Sequence, residues 1–455
     1  MDNVLLLSGT GTRWLQLFVA LSLLIILHEF GHFYFAKKFK MRVEKFYLFF
    51  DFLFPFSGLL NFSLLKKKVG DTLYGIGWFP LGGYVKIAGM VDESMDKEEL
   101  AQPPKPWEYR SKPAWQRLLT MLGGIIVNIL VAMVIYSVVF GVWGEEYLPP
   151  ANATYGIYTD SLGESAGFRN GDILVGVNGK KTERFELFSK AIFKGAKSID
   201  ILRNGQPKTI AIKPETVVNI IARKRQLFAV RTPSVVAEVT EKTEAARMGL
   251  KSGDSIIAIN GQPYSFHDEV VKKIQSMKGQ PIHLNVINKQ KQLVALDGVV
   301  DSLGKLGFQA YGYDRFLKME TIHYNPIQAI IRGTAFTFER LGDYAGSFKL
   351  LFKKGVKLSD NLGGIGTFSK IFPTEFDMQD FLMLMAFISI VLAFMNLLPI
   401  PGLDGGYVIF LLYELVTRRK VSEKVMEIAT TIGLVLLLIL MVYANGLDIF
   451  RYFKH

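Results

Sequence analysis

The sequence has no cysteine among its 455 residues and only six histidines. The absence of cysteine excludes disulfide bonds, a thiolate nucleophile and any zinc site built on cysteine ligands. A metal ion would therefore need histidine and carboxylate ligands, so the position of each histidine is informative. Charged residues are also sparse at 21%, whereas 50% of the residues are hydrophobic. This composition excludes an ordinary soluble globular protein.

The charge is unbalanced, with 53 lysine and arginine residues against 41 aspartate and glutamate residues and a net charge of +12. Such an excess is consistent with a nucleic-acid partner, with an anionic membrane surface or with loops in which positive charge predominates. The basic runs flank apolar stretches, and no nucleic-acid-binding motif accompanies them. We therefore expect a lipid bilayer as a partner of this chain, and no nucleic acid.

Four apolar stretches are long enough to cross a bilayer, which takes about 20 residues of helix. They lie at roughly 14–36, 117–142, 381–416 and 425–447. The first lacks a basic start and a small-residue cleavage site, so we interpret it as a retained helix. The third is too long for one crossing and contains Pro399, Pro401 and Gly402. This pattern predicts a helix that breaks inside the membrane and resumes near Gly406.

The positions of the cations predict the orientation, because cytoplasmic loops are enriched in lysine and arginine. Basic residues follow the first stretch between Lys37 and Lys68, and others separate the third and fourth stretches between Arg418 and Lys424. The second stretch is followed by an acidic residue, Glu145, and not by basic residues. We therefore expect both basic loops in the cytoplasm and the long segment after the second stretch outside it.

An internal repeat lies in that long segment. Residues 167–179, GFRNGDILVGVNG, align without gaps on residues 249–261, GLKSGDSIIAING, at an offset of 82 residues. Each copy combines a Gly-Asp turn, an alternating apolar strand and an Asn-Gly turn. This combination predicts hairpins in a small, mostly-β module.

The repeats resemble bacterial PDZ domains, at residues 151–232 and 233–310. The resemblance implies that an extended peptide binds by adding a strand to an exposed sheet edge. In the first copy, Tyr155-Gly156-Ile157 is similar to the loop that captures a terminal carboxylate, whereas the matching residues 233–236 lack a glycine. The alternative is that both modules are spacers, since a Gly-Asp turn indicates a fold more than a ligand.

The first apolar stretch contains the motif His28-Glu29-Phe30-Gly31-His32. On a helix, the two histidines lie one turn apart on the same face, so their imidazoles can converge on one ion beside the glutamate. This spacing is typical of zinc proteases. Ionisable groups inside a membrane helix are costly unless they are paired, hydrated or metal-bound. The alternative is a chance cluster that reaches the interface near the end of the helix.

A catalytic zinc takes three protein ligands and keeps one position for water. His267, His283 and His323 fall on the other side of the predicted membrane and are poor candidates for the third ligand. The segment 396–406, NLLPIPGLDGG, carries Asp404 at the predicted helix break. Alone it would read as a loop with a solvated carboxylate, but beside the histidine motif the sequence favours a metal ligand.

Together these motifs resemble the site-2 protease family of intramembrane zinc metalloproteases, and within it the bacterial group of sigma-E-regulating proteases with two PDZ domains. The resemblance covers nearly the whole chain. It implies that His28, His32 and Asp404 hold a Zn²⁺ ion, that Glu29 is the catalytic base and that Asn396 contacts the substrate. Asn128 matches the family's second-helix motif only loosely, and we assign it no catalytic role.

A further resemblance lies in the β region expected at residues 42–90. The stretch 71–87, DTLYGIGWFPLGGYVKI, is similar to the family's membrane-reentrant β-hairpins, with Pro80 at a turn or an edge. An edge strand at this place would hold a substrate in extended form, because an intact helix hides its carbonyl groups.

The predicted fold is a polytopic α-helical membrane protein with four transmembrane helices, a membrane-associated β-hairpin region and two mostly-β PDZ domains. The membrane domain would comprise residues 1–143 and 381–455, and residues 311–380 would form a membrane-proximal segment. We expect a bacterial cytoplasmic (inner) membrane location, with the PDZ domains on the periplasmic side.

The predicted function is cleavage of the transmembrane segments of single-pass membrane proteins, of the anti-sigma-factor or remnant-signal-peptide type, after an earlier cut by a site-1-type protease. One alternative is a non-catalytic PDZ scaffold or chaperone with a structural metal. The intact Glu29 argues against it, since a structural zinc needs no base. A transporter is a second alternative, and it would predict inverted membrane repeats, whereas the repeat found here is soluble.

Overall fold

The computed structural model describes residues 9–52, 60–80, 82–90, 102–216, 227–350 and 363–454. Its contacts divide the chain into two compact units. The first unit comprises Met1–Gly144 and His323–His455, and we call it the membrane unit. The second comprises Glu145–Ile322, and we call it the β-rich unit.

Helices dominate the membrane unit, whereas the helices of the β-rich unit are short. In chain order the helices are α1 (Gly9–Lys38), α2 (Ala114–Val142), α3 (Ser161–Ser165), α4 (Glu186–Phe193), α5 (Glu244–Met248), α6 (His267–Ser276), α7 (Pro326–Leu350), α8 (Ile365–Ser369), α9 (Met378–Leu397), α10 (Asp404–Thr417) and α11 (Glu423–Lys454).

Among the described residues, four helices are long and apolar enough to cross a membrane: α1, α2, α9 and residues 424–451 of α11. The four predicted membrane helices are therefore confirmed. The third predicted stretch, 381–416, is two helices, because the chain leaves helical geometry after Leu397 and resumes it at Asp404. The resumption falls two residues before the predicted Gly406.

The core of the membrane unit forms around α2, which packs against α1, α7, α9 and α10. Large apolar side chains fill most of this interface, for example Leu24, Tyr136 and Met385. Glycines replace them where α1 and α2 come closest. A Cβ atom on Gly31 would overlap the carbonyl group of Gly123, so these two helices touch backbone to backbone.

The strands fall into several small sheets. In chain order they are β1 (Val43–Leu48), β2 (Ser63–Val69), β3 (Thr72–Gly77), β4 (Tyr84–Ile87), β5 (Glu145–Tyr147), β6 (Ile157–Thr159), β7 (Ile173–Val177), β8 (Lys180–Lys181), β9 (Ser198–Arg203), β10 (Gln206–Ala211), β11 (Phe228–Val230), β12 (Val236–Val239), β13 (Ser255–Ile259), β14 (Gln262–Pro263), β15 (Pro281–Ile287), β16 (Leu293–Val299), β17 (Phe308–Ala310) and β18 (Glu320–Ile322).

The membrane unit contains one four-stranded sheet, in the order β2-β3-β1-β4. Strands β2 and β3 form a hairpin through Gly70, which adopts a positive φ of 59°. Strand β3 runs parallel to β1, and β4 runs antiparallel to β1. The predicted hairpin region is therefore a mixed sheet whose two edges are β2 and β4.

The sheet lies along α1. At one end, Lys37 Nζ donates a hydrogen bond to Thr72 Oγ1 over 2.9 Å. At the other end, the ring centroids of Phe18 and Phe49 are 5.7 Å apart. Because Lys37 marks the basic end of the membrane helix, β1 runs from the level of that end toward the middle of α1.

The β-rich unit contains two modules with the same plan. Strands β7 and β8 recur as β13 and β14 at the predicted offset of 82 residues, and β9 and β10 correspond to β15 and β16. Asn178 and Asn260 both adopt a φ of 51°, as expected for the same Asn-Gly turn. Asp172 and Asp254 are both buried, and each accepts a hydrogen bond from the backbone N–H three residues earlier. The sequence repeat is therefore a structural repeat.

The expected carboxylate loop of the first module is not available for a ligand. The N–H of Gly156 donates to Ala153 O, and the N–H of Ile157 donates to Asp172 O. The ring of Tyr155 packs on Phe266 of the second module. Because a carboxylate needs free N–H donors, the interpretation of Tyr155-Gly156-Ile157 as its binding loop is wrong.

The segment 311–380 contributes two helices to the membrane unit. Helix α7 packs on α2, where the ring of Phe336 contacts Tyr136 and Phe140. The short α8 is bound by α11, because Thr367 donates its N–H and its hydroxyl hydrogen to Asp448. Helices α7 and α8 therefore belong to the membrane unit, whereas residues 311–322 of the predicted membrane-proximal segment belong to the β-rich unit.

Candidate metal centre

Helix α1 presents the two predicted histidine ligands on one face. His28 and His32 are one helical turn apart, and their Nε2 atoms are separated by 3.2 Å. His32 is buried, with 6% of its surface exposed. The apolar residues before the motif form the helix, and the four-residue spacing brings the two imidazoles together.

Asp404 joins these histidines from the first residue of α10. Its Oδ2 atom lies 3.2 Å from His28 Nε2 and 3.4 Å from His32 Nε2. The turn before α10 depends on glycine at two positions. Gly402 has a positive φ of 94°, and a Cβ atom on Gly405 would overlap the carbonyl of Leu398. The break in the helix therefore turns the carboxylate toward α1.

The three atoms fit a zinc ion. In a tetrahedral site with ligand distances near 2.0–2.1 Å, two ligand atoms are separated by about 3.3 Å. The observed separations are 3.2 to 3.4 Å. Asp404 Oδ2 is also buried and has no hydrogen-bond donor among the described residues. Two imidazole lone pairs and one carboxylate oxygen thus converge as expected for a catalytic zinc site with an open fourth position.

The second nitrogen of His32 has a fixed role. Nδ1 lies 2.8 Å from the carbonyl oxygen of Thr120 on α2. A carbonyl only accepts, so Nδ1 carries the proton and donates it. This bond leaves the Nε2 lone pair for the metal, which is the usual arrangement of a ligating histidine.

Asn128 of α2 contacts the Nδ1 atom of His28, as Thr120 contacts that of His32. The sequence did not predict this contact. Its side chain is fully buried, and its amide Nδ2 lies 3.2 Å from His28 Nδ1. Its Oδ1 is buried without a hydrogen-bond donor. A half-turn of the amide would place Oδ1 against Nδ1, where it accepts the ring N–H and leaves Nε2 free for the metal. Asn128 is therefore suited to position His28.

Glu29 lies beside the three candidate ligands without joining them. The cluster of metal-ligating groups in the described chain contains His28, His32 and Asp404. Glu29 interacts electrostatically with all three. On its other side is Gly83, the residue directly before β4, since a Cβ atom on Gly83 would lie 3.2 Å from Glu29 Cγ. The glutamate thus stands between the cluster and a sheet edge.

Asn396 comes near the cluster from the end of α9. Its Nδ2 atom is 3.2 Å from Nε2 of His28. When that nitrogen binds a metal, it cannot accept this hydrogen bond, and the amide is released for another partner. The structure thus brings together all five residues singled out in the sequence.

The glycines of α2 make room for the imidazoles. A Cβ atom on Gly124 would overlap the rings of both His28 and His32. The Gly123-Gly124 pair was therefore a sequence signal for close packing against the histidine motif.

An ion pair anchors the helix that carries Asp404. Arg117 of α2 donates to Glu414 of α10 over 2.5 Å, and both side chains are largely buried. The neighbouring Tyr109 is also buried, and burial raises the pKa of its phenol, which stays neutral. These contacts fix α10 against α2 about three turns from the carboxylate.

His267 and His283, both outside the motif, have partners of another kind. His267 Nδ1 lies 3.1 Å from Ser234 Oγ, and burial lowers the pKa of this imidazole. His283 Nδ1 lies 2.7 Å from Asp297 Oδ1. Neither belongs to a metal-ligating cluster within the described residues.

Comparisons with known proteins agree with this site. A model of peptidase family M50 matches residues 16–440. The chain belongs to peptidase family M50. The protease RseP of Yersinia pestis is 29% identical over 96% of this chain and 97% of its own length. Proposed zinc metalloproteases of Vibrio cholerae and Thermotoga maritima are 29% and 26% identical, over 96% and 94% of this chain and 98% and 97% of their own lengths.

Membership of family M50 confirms the predicted resemblance to the site-2 proteases and the predicted class of enzyme, a metalloendopeptidase. Family M50 is zinc-dependent, so membership of this family confirms the predicted Zn²⁺ cofactor. Together with the four membrane helices, the family makes this chain an integral membrane peptidase.

Proposed function

We propose that the chain is a zinc-dependent intramembrane endopeptidase that cleaves the transmembrane segments of single-pass membrane proteins. The observation that carries the proposal is the convergence of His28, His32 and Asp404 to within 3.4 Å of one another inside the membrane unit, with Glu29 beside them. In this assignment the first three hold the zinc and Glu29 is the base.

The chemistry divides between the metal and the protein. His28, His32 and Asp404 would hold a zinc ion, which would supply Lewis acidity to the attacking water and to the peptide carbonyl. Glu29 takes the proton from the attacking water on its carboxylate and later donates it to the leaving amide nitrogen. His32 is held in its ligating tautomer by Thr120, and His28 is held by Asn128.

Strand β4 is the natural place for the substrate. It is an edge of the sheet, and Gly83, directly before it, places its first residue close to Glu29. An unpaired sheet edge at membrane depth is unfavourable unless it is covered. A substrate that unwinds from helix to strand gains backbone hydrogen bonds there and exposes its carbonyls to the base. The amide of Asn396 then orients the chain near the scissile bond.

The expected substrates are membrane proteins already shortened by another protease, such as anti-sigma factors, or remnant signal peptides. One relative, from Salmonella typhi, is named a regulator of sigma E protease, which supports this class. In this proposal the two modules of the β-rich unit are PDZ domains on the periplasmic side of a bacterial inner membrane, and they exclude substrates with intact outer domains.

The variant Glu29→Gln tests the proposed function. It keeps the size of the side chain but cannot accept a proton at neutral pH. Zinc content should remain at the wild-type level, while cleavage of a transmembrane peptide in vesicles falls by about 10²–10⁴-fold, the usual contribution of a general base. Uncleaved peptide should co-purify with the variant.

The matched control is Glu183→Gln, which removes an exposed carboxylate from the β-rich unit. It should cleave the peptide at the wild-type rate. Wild-type turnover by Glu29→Gln with zinc fully bound would show that another group is the base.

A further inference from the structure

Strand β2, the sheet edge opposite β4, exposes side chains of two kinds. Its sequence is Ser63-Leu-Leu-Lys-Lys-Lys-Val69, and every side chain after Ser63 is exposed. Leu64 and Leu65 are 61% and 65% exposed. Lys66, Lys67 and Lys68 follow directly and form no ion pair or hydrogen bond with the described residues. An apolar half is thus followed by a cationic half along one strand.

The register of the sheet orients these halves relative to α1. Val69 of β2 pairs with Thr72 of β3, whose hydroxyl accepts the hydrogen bond from Lys37. The cationic half therefore lies at the level of the basic end of α1. At about 3.3 Å per residue, Leu64 lies about 17 Å further along the strand, toward the middle of the membrane helix.

This order matches the layers of one bilayer leaflet. A hydrocarbon half-layer is about 15 Å thick and is covered by headgroups. The leucines then fall at the depth of the acyl chains and the three lysines at the depth of the phosphates. Successive residues of a strand point to opposite faces, so Lys67 covers one face of the edge while Lys66 and Lys68 cover the other.

We infer that β2 is a binding surface for anionic phospholipid, with Leu64 and Leu65 against the acyl chains and Lys66–Lys68 on the headgroup phosphates. The charge selects anionic over zwitterionic lipid, since each lysine near such a surface is worth roughly a fivefold enrichment. The same sheet carries β4 beside Glu29, so lipid bound at β2 fixes the depth of the strand proposed to hold the substrate. The lipid surface itself does not rest on the proposed peptidase function.

Quenching by brominated lipids tests this surface. The full chain has no cysteine, so Leu64→Cys carries a single fluorophore. The labelled protein is placed in phosphatidylcholine vesicles that contain either brominated phosphatidylglycerol or the same fraction of brominated phosphatidylcholine. We expect several-fold stronger quenching by the anionic lipid. The excess should disappear when Lys66, Lys67 and Lys68 are all changed to Gln, and it should persist when all three are changed to Arg.

Two controls make the result decisive. A fluorophore at Ser252→Cys in the β-rich unit should show no excess quenching, and zinc content reports whether the triple Gln variant is folded. Equal quenching by the two lipids, or an excess that the Gln variant retains, would overturn the inference. Absence of quenching by either lipid would overturn it as well, because the strand would then be covered by protein.

Discussion

In the proposed assignment, Asp404 is the third protein ligand of the zinc site. It approaches the two imidazoles of α1 from a different helix, and no donor in the described part of the chain reaches its Oδ2. A carboxylate at the first residue of a helix also interacts favourably with the helix dipole, which helps to keep it charged. The site therefore depends on how accurately the turn before α10 places one oxygen atom.

We expect Asp404→Ala to lose most of its zinc, because two imidazoles alone leave a tetrahedral site short of ligands. The measurement is zinc per chain in the purified protein. His283→Ala, which removes a histidine paired with Asp297, should retain the full amount. Equal zinc content in Asp404→Ala and wild type would exclude Asp404 as a ligand.

Asn128 gives a second prediction at this scale. Asn128→Ala removes the acceptor for the His28 ring N–H, so zinc affinity should fall about 10–100-fold, as for other partners of metal-ligating histidines. Asn128→Asp restores an acceptor and should recover most of the affinity. Ser389→Ala is the matched control, since the Ser389 hydroxyl donates to the backbone carbonyl of Asn128 and not to its side chain. A wild-type affinity in Asn128→Ala would show that the residue only fills space.

The spacing of His28 and His32 was predictable because helical periodicity alone brings them together. Asp404 followed from its motif at a helix break, beside the histidine pair. Asn128 was not predictable from the same reasoning, because its contact with His28 joins residues 100 positions apart on two helices. Only the packing of α1 on α2 decides which polar side chain of α2 faces the imidazole.

At the scale of elements, the close contact of α1 and α2 determines the geometry of the site. Gly31→Ala would place a methyl group into the carbonyl of Gly123. Overpacking of this kind costs about 1–3 kcal/mol. We expect a lower thermal unfolding midpoint and reduced zinc content in purified Gly31→Ala.

The matched control is Gly346→Ala on α7, where an added Cβ meets nothing within 4 Å. Alanine is favoured over glycine in a helix by about 1 kcal/mol. This variant should therefore be at least as stable as wild type. If both variants behave alike, the close approach of the two helices is not required.

The apolar runs predicted the membrane helices because hydropathy over about 20 residues is a strong signal. Helix α7 was not predicted, because Arg332, Glu339 and Arg340 interrupt its apolar pattern. The order of the sheet was also not predictable. The parallel pairing of β1 with β3 joins strands that are separated in the sequence by β2, and the strand sequences alone do not specify it.

At the scale of the whole molecule, the proposed orientation can be tested by labelling. The absence of native cysteine means that one introduced cysteine gives one signal. A cysteine at Lys67 should be shielded from an impermeant thiol reagent in spheroplasts, whereas a cysteine at Asn178 should react. The reverse pattern would place the basic loops outside the cell and overturn the proposed topology.

The distribution of the candidate ligands along the chain has a consequence for biosynthesis. His28 and His32 are near the beginning of the chain, and Asp404 enters on the helix after the break at 398–403. A ribosome has therefore made the first membrane helices and the whole β-rich unit before the third ligand exists. Until α10 is inserted, the nascent chain has an incomplete metal site. With the proposed ligands, the zinc site is complete only once α10 has been made, and we expect no cleavage of neighbouring membrane proteins before then.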